Sequence, residues 1–588
     1  MQHLRVLATC VFVVILCASC TQDESKPSSA VRITLGDDAV AGIAALGLDV
    51  PVVGRAFFIV SRNNEDMPHL GTGVTGNPLW GVDVRDYKAG DTATIADGES
   101  TVSGYPYAAL DELPAGDYYV QAFLNVYTRF ERADGHVIEA HMNSGAFQNP
   151  FKAPGNAYSD VQQITLGEDG LLSLDLTIDN VIQPPQALAG GEVLQLGNYA
   201  DTEWVKYVKI RSEKLSEFWG RDMYIGANIL LPPGYDEHSD ARYPVLYMQG
   251  HSSGLTPMPW APNEWFRPGY EAEHVAVGPQ LDGFYEAWTS GSLPKMVVIT
   301  IRDANPFFDT SYSVNTPTVG PYGDAITEEL MPHLESEFRI VVEPWGRVLA
   351  GRSTGGWEAA AMMVFYPDLF AGSFPWAPDP IDFRKLMQVN IYEFNNAFYN
   401  ELEWIRTALP AQRETDGLVN YGVIDEHRYE QTVATKDRSG GQWAIWQALY
   451  SPVGEDGYPQ PLWDATTGEI DPEVAKYWRE NWDLSYIIER DWATLGPKLA
   501  GKLHFAVGRR DNYYLEQSVY LTEERMKSLQ NPYPGATFQY GIGGRHSWIG
   551  HSPSDPDKQM RYAEFIGVVA GFIEDHAPDG VDTDSWKY

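Results

Sequence analysis

The run Val348-Leu349-Ala350-Gly351-Arg352-Ser353-Thr354-Gly355-Gly356-Trp357-Glu358-Ala359-Ala360-Ala361-Met362-Met363 decides how the larger part of this chain is read. Three apolar residues predict a buried strand, and the stretch rich in alanine and methionine predicts a helix. Between them stands G-x-S-x-G, the pattern of a tight strand-to-helix turn that lifts a serine hydroxyl clear of a sheet edge. Glycine flanks Ser353 because the backbones must pass closely there. The helix that begins at once aims its free amides and positive end at the serine. A second match, Gly250-His251-Ser252-Ser253-Gly254, also follows a strand, but Pro257, Pro259 and Pro262 come next and exclude an immediate helix. Ser353 is the candidate nucleophile. The bland alternative is a plain turn with no chemistry.

The same grammar extends outward. Met223, Ile225, Ala227, Ile229 and Leu231 alternate as a strand with one buried face, and residues 243–248 and 295–301 are continuous apolar strands. Ile326, Leu330, Leu334 and Phe338 recur every fourth residue, which predicts a helix over 324–338 bent at Pro332. Strands follow at 347–350, 370–376, 503–507 and 536–540, with helices at 355–366, 517–529 and 558–573. Alternation in this order predicts an α/β protein, a doubly wound, mostly parallel sheet of the α/β-hydrolase type. Residues 380–500 interrupt it. They lean helical, carry Trp404, Trp443, Trp446, Trp463, Trp478, Trp482 and Trp492, and read as a helical cap inserted over the sheet's active edge.

Ahead of this lies a different texture. Residues 57–61, 80–84, 118–126 and 171–178 are short apolar and β-branched runs separated by Gly, Asn, Asp and Pro. No helical period shows, and a β-sandwich over 31–185, immunoglobulin-like in texture, is the expectation. Residues 186–588 then form the second domain. This leading module is expected to brace the larger domain; carbohydrate binding is the alternative.

The first twenty residues read as an export signal: Arg5, then an apolar run from Val6 to Leu16 too short to span a bilayer stably, then small residues. Leu16-Cys17-Ala18-Ser19-Cys20 resembles a bacterial lipoprotein box, so Cys20 is the expected lipid attachment point, with ordinary secretion as the alternative. Residues 21–30 would be a flexible tether. Expected locations are the periplasm or the outer-membrane surface, otherwise the medium. The three cysteines, Cys10, Cys17 and Cys20, all lie in this segment, so no disulfide is available downstream. With 80 acidic against 42 basic residues the formal net charge is −38, which argues against nucleic acid and anionic membrane surfaces as partners, leaving only the lipid anchor as membrane contact.

A G-x-S-x-G nucleophile of this fold is followed in the chain by an acid and then a histidine. His546, in a glycine-rich loop after the last strand, is the candidate base, with His551 in reserve and His576 a surface residue. Asp511, just past the strand at 503–507, is the candidate acid that fixes the imidazole tautomer; Asp379, after the preceding strand, is its rival. The oxyanion hole would combine the Thr354 amide with one from His251 or Ser252. Trp260, Trp357 and Trp548 are candidate rings for substrate. No zinc spacing or phosphate-binding loop is present, so neither metal nor cofactor is expected.

Taken together, Tyr243-Pro244-Val245-Leu246-Tyr247, Gly250, Gly351 to Trp357, Gly508-Arg509-Arg510-Asp511 and His546-Ser547-Trp548 resemble the esterase-D-type esterases over roughly residues 200–575. That family holds acetyl-xylan and feruloyl esterases of carbohydrate esterase family one, enterochelin esterases, S-formylglutathione hydrolase and mycolyltransferases. The resemblance implies hydrolysis of a carboxylic ester through an acyl-enzyme on Ser353, with an acetyl or feruloyl ester on a polysaccharide or oligosaccharide as substrate. A siderophore esterase, an acyltransferase, and a non-catalytic binding lipoprotein are the alternatives.

Overall fold

A computed structural model describes residues 29–141, 149–168, 170–184, 188–189, 198–251 and 283–588. The larger domain is built on an eight-stranded sheet. Its spatial order is Val205–Ser212, Met223–Leu230, Val297–Arg302, Val245–Gln249, Arg347–Ser353, Gly372–Pro378, His504–Gly508 and Thr537–Gly541. The first two strands are antiparallel to their neighbours, and all later pairings are parallel. Val348 and Ala350 enter the hydrophobic cluster on one face, with Phe565, Ile566 and Val569 of the last helix. Leu349 points the other way into the main core with Trp357 and Met362. Such two-sided burial is why these strands are apolar at every position. The sheet is the doubly wound one expected; its edge strand Val205–Ser212, mixed with Lys and Arg, lacked a pattern strong enough to show in the sequence.

The helix foreseen over 324–338 runs as an α turn Tyr322–Asp324, a π segment Ala325–Leu330 and an α segment Met331–Glu337. Pro332 has no amide hydrogen and crowds the carbonyl four residues back, so wider winding ahead of it replaces a simple bend.

The leading module is sheet-rich. Strands Thr92–Ala96, Ala30–Leu35, Ser173–Val181, Ala157–Ser159, Gly116–Glu131, Val52–Ser61, Leu79–Tyr87 and Ser103–Tyr105 form one continuous hydrogen-bonded path. Its two halves share a core: Val31, Ile33 and Ile178 from one, Phe58, Trp80 and Leu124 from the other. The sheet is therefore folded over on itself through the short Ala157–Ser159 strand. A helix absent from the sequence reading, Asp37–Ala45, also occurs; only Ala39 and Ile43 of it are buried, too few to set a period.

The insertion carries five helices between Val423 and Leu499, but also two small hairpins, Tyr399–Glu401 with Arg406–Ala408 and Pro410–Arg413 with Val419–Gly422. Trp443, Trp446, Trp463 and Trp478 are almost wholly buried, Trp443 packs edge to face with Trp446 and with Trp463, and Trp478 does so with Phe383 and Tyr450, while Trp404 is 86% exposed. The rings are therefore mostly core side chains, in the main cluster that the insertion shares with the sheet. The helix Val423–Val433 is clasped from behind by the leading module. Arg55, 2% exposed, donates from Nε to the Thr432 carbonyl at 2.9 Å, and also bonds Gly81 O, Ser103 Oγ and Asp83. A cation at a helix C-terminus meets the negative end of the helix dipole. Arg55→Met would leave the buried Thr432 and Gly81 carbonyls without this partner, so stability should fall by about 2–4 kcal/mol. A thermal melt checks this; an unchanged midpoint would mean that the seam is held elsewhere.

Candidate active site

The parallel strand Arg347–Ser353 runs directly into the helix Thr354–Phe365, and Ser353 sits at the junction with φ 60° and ψ −126°. A non-glycine residue in that conformation costs on the order of 1–3 kcal/mol and persists only where its surroundings hold it. Here they do. A Cβ on Gly355 would lie 2.1 Å from the Gln249 carbonyl oxygen, and one on Gly351 would lie 2.2 Å from the Gly355 carbonyl. The glycines let strand, turn and helix close on one another, and that closure forces the serine outward.

His546 and Asp511 come together by the same device at the next sheet edge. The loop after His504–Gly508 touches the loop after Thr537–Gly541: Arg510 N donates to Gly544 O at 2.9 Å, and a Cβ on Gly508 would meet that oxygen at 2.3 Å. The contact leaves His546 Nδ1 2.8 Å from Asp511 Oδ2. The carboxyl is fully buried, and its Oδ1 accepts from Tyr513 N at 2.8 Å. The insertion steadies this loop, because Arg413 N donates to Asn512 O at 2.8 Å and Arg413 Nε to Asp511 O at 3.0 Å. With Nδ1 committed to Asp511, Nε2 is the ring atom left for chemistry. His551 turns instead to the Pro556 carbonyl, 2.7 Å away, and His576 to Phe572 O.

Asp379 is also at the site, in a different role from an imidazole partner. Its Oδ1 accepts from Ser353 Oγ at 3.3 Å. Its Oδ2 accepts from Tyr312 OH at 2.6 Å, Thr354 Oγ1 at 3.1 Å, Gln442 Nε2 at 3.2 Å and Trp446 Nε1 at 3.4 Å. Burial raises its pKa, against the hydrogen bond from Tyr312 and the fields of His251 and His546. The strand that carries it breaks register opposite Ser353, with Ala377 at φ 35°, and Tyr312 lies at φ 58°. Left-handed backbone at three non-glycine positions around one hydroxyl marks a built site. Tyr312 and Gln442 gave no signal in the sequence, and Trp446 showed only as one of the insertion's tryptophans. Gln442 and Trp446 share one helix face at the i, i+4 spacing, but the face they meet is set by tertiary contact alone.

Ser353, His546, Asp379 and His251 line one cavity of about 440 Å³. The insertion closes much of it with Tyr421, Glu426, Tyr429, Glu430, Gln442 and Trp446. His251 Nδ1 lies 3.1 Å from Asp309 Oδ1. Burial works against its charge, but Asp309 and then Asp379 outweigh that and raise its pKa. Trp357 and Trp548 are corrected. Trp357 is fully buried between Tyr312 and Tyr450, and Trp548 is 5% exposed beneath Gly541, so both are core side chains without access to the cavity. Among the described residues, Trp446 is the indole that reaches it. Ser252, Trp260 and Cys20 lie outside the described residues. Among the described residues no cluster of His, Cys, Asp and Glu suited to a metal occurs, and no helix is long and apolar enough to cross a membrane.

The sheet order, the strained serine between strand and helix, and the histidine–carboxylate pair at the neighbouring edge define an α/β-hydrolase-type fold. Residues 216–453 match the family model described as "Putative esterase", so this stretch, which holds Ser353 and most of the insertion, is an esterase-family domain. The chain is similar to the endo-1,4-beta-xylanase/feruloyl esterase of Xylanibacter ruminicola, 26% identical over 147 residues, which are 24% of this chain and 18% of that protein. Less than a fifth of that relative's length is thus matched. Among solved structures it is similar to a ferulic acid esterase, at TM-score 0.33 and 14% identity over 58% of this chain and 92% of that one. It is also similar to an S-formylglutathione hydrolase from Agrobacterium tumefaciens, at TM-score 0.30 and 14% identity over 64% and 95%.

The cavity wall has a pH signature. Burial, then the neighbouring Glu430, pushes Glu426 up to about 8, although the Trp443 indole donates to it at 2.8 Å. The folded state therefore holds this proton more tightly than the unfolded chain. The associated stability is complete below the ordinary value of 4.5 and is lost as pH rises through about 8. Glu426→Gln should raise the melting temperature relative to the parent at pH 9 more than at pH 4.5. An equal offset at both would show that the carboxyl titrates alike in the two states.

Proposed function

We propose that the protein is an exported serine esterase that cleaves carboxylic esters through an acyl-enzyme on Ser353, with acetyl or feruloyl esters of a polysaccharide or oligosaccharide as substrates. The observation that carries this reading is a serine in a strained strand-to-helix turn facing the same cavity as an imidazole whose far nitrogen is fixed by a buried carboxylate. A turn of the Ser353 side chain moves its hydroxyl from Asp379 toward His546 Nε2. His546 takes the proton as Oγ attacks the ester carbonyl, and Asp511 stabilises the imidazolium. The Thr354 amide, at the start of its helix, and the 251–252 backbone would hold the oxyanion. His546 then returns the proton to the leaving alcohol, and water, activated by the same base, cleaves the acyl-enzyme.

The cavity's lining supports an uncharged substrate. Asp379, Glu426 and Glu430 line it, and its described lining holds neither Lys nor Arg. Carboxylate or phosphate groups on a substrate would find no guanidinium or ammonium partner there, whereas sugar hydroxyls and phenols find carboxyl groups to hydrogen-bond. The N-terminal segment is kept in this reading as an export leader, with Cys20 as the lipid attachment point.

Ser353→Ala should abolish p-nitrophenyl acetate turnover and fluorophosphonate labelling while leaving the melting curve intact; unchanged turnover would end the assignment. Asp511→Asn should lower kcat by a factor on the order of 10³–10⁴ if it fixes the tautomer as in other triads. The same loss from Asp379→Asn, with Asp511→Asn near normal, would exchange the two roles.

A further inference from the structure

We infer that the leading sheet-rich module is a wall of the substrate cleft and limits the size of the uncharged group that the site accepts. The inference rests on the esterase reading of Ser353 and goes beyond the bracing role. Thr72, Gly73, Val74, Asn149 and Pro150, all from this module, line the same cavity as Ser353 and His546. They are some 200 residues or more from the nucleophile in sequence and reach it only because the module is seated against the insertion.

Two features separate a built wall from a chance contact. The first is local rigidity. Thr72 Oγ1 donates to His69 O at 2.9 Å, Gly76 N to Gly73 O at 2.9 Å, and Tyr105 OH to Val74 O at 2.7 Å. Asn149 Oδ1 accepts from Phe151 N at 2.9 Å, and Pro150 O accepts from Asn156 Nδ2 at 2.7 Å. Phe151 is fully buried, packed 5.4 Å from Phe57 and 5.0 Å from Phe123 between ring centroids. Both segments are held in place before any ligand arrives, which lowers the entropy cost of using them.

The second feature is continuity with the insertion. Val433 belongs to the cluster formed by Phe57, Ile59, Leu79, Phe123 and Phe151, and Tyr429 packs against it. Tyr105 and Tyr429 meet edge to face at 5.8 Å. Tyr429 and Val433 also line the cavity. One apolar seam therefore ends in a single surface made jointly by the module's loops and the insertion's helix. The module's share is uncharged and of modest volume, so it leaves room beside the catalytic groups while the facing helix supplies carboxyl groups. A neutral ring on the acyl or the alcohol side of the ester fits such a wall.

Gly73 gives the test. It lies outside the left-handed region, and a Cβ built on it meets nothing within 4 Å. Gly73→Phe thus adds bulk toward open space without forcing the backbone. The full chain is assayed with vinyl acetate, small on both sides of the ester, with 4-nitrophenyl 3-phenylpropanoate, bulky on the acyl side, and with 1-naphthyl acetate, bulky on the alcohol side. The ratio of kcat/KM for one of the bulky esters to that for vinyl acetate should fall about tenfold or more, the scale on which pockets discriminate by size. Which ratio falls tells whether the wall meets the acyl or the alcohol group. Both ratios unchanged would overturn the inference, as would equal losses on all three esters with an intact melt. If Gly73→Phe lowers the melting temperature, Thr72→Tyr adds bulk from the neighbouring position and is judged in the same way. Turnover surviving in Ser353→Ala is a separate outcome and overturns the esterase reading itself.

Discussion

The Gln249 carbonyl oxygen occupies the place that a side chain on Gly355 would need, 2.1 Å from where its Cβ would stand. The neighbouring strand, the elbow and the following helix can come that close only because Gly351 and Gly355 have nothing to displace. Their approach holds Ser353 at φ 60° and turns its hydroxyl out of the sheet. The loops after the last two strands meet in the same way, through Gly508 and Gly544, and the Asp511–His546 pair depends on that contact. The arrangement of Ser353, His546 and Asp511 is thus a set of backbone close approaches, with glycine as the residue that permits each one.

Around that frame the insertion and the leading module pack against each other. Arg413 ties an insertion hairpin to the Asp511 loop, Gln442 and Trp446 reach Asp379, and the helix between them is clamped from behind by Arg55 and the Phe57–Phe123–Phe151 cluster. Only part of the insertion's tryptophan content concerns ligands. Most of it packs in the main hydrophobic cluster with Ile445, Leu449 and Ile487, so ring abundance in the sequence was a sign of packing more than of binding.

The Asp379 network is the part of the site that differs most from a bare triad. A buried carboxyl beneath the nucleophile, served by five donors, holds the Ser353 hydroxyl in the resting protein. A carboxylate next to a developing oxyanion is unfavourable, and the hydrogen bonds that Asp379 accepts from Tyr312, Thr354, Gln442 and Trp446 disperse its charge. The sequence had placed Asp379 and Asp511 in competition for one task. In the structure Asp511 meets His546 and Asp379 meets Ser353, because both follow adjacent parallel strands and so arrive at the same edge.

By itself the sequence determined the α/β sheet, the strand-to-helix serine and the chain order of acid and histidine. Those depend on local periodicity and on glycines whose purpose is steric, and both are written in neighbouring residues. Only the tertiary structure decided which carboxyl meets the imidazole, that Trp357 and Trp548 are core side chains while Trp446 reaches the cavity, and that Thr72 and Pro150 stand beside a serine far along the chain. Those outcomes depend on how separately folded segments dock. Docking is settled by the summed burial of surfaces distant in sequence, which leaves no periodic trace in any one of them.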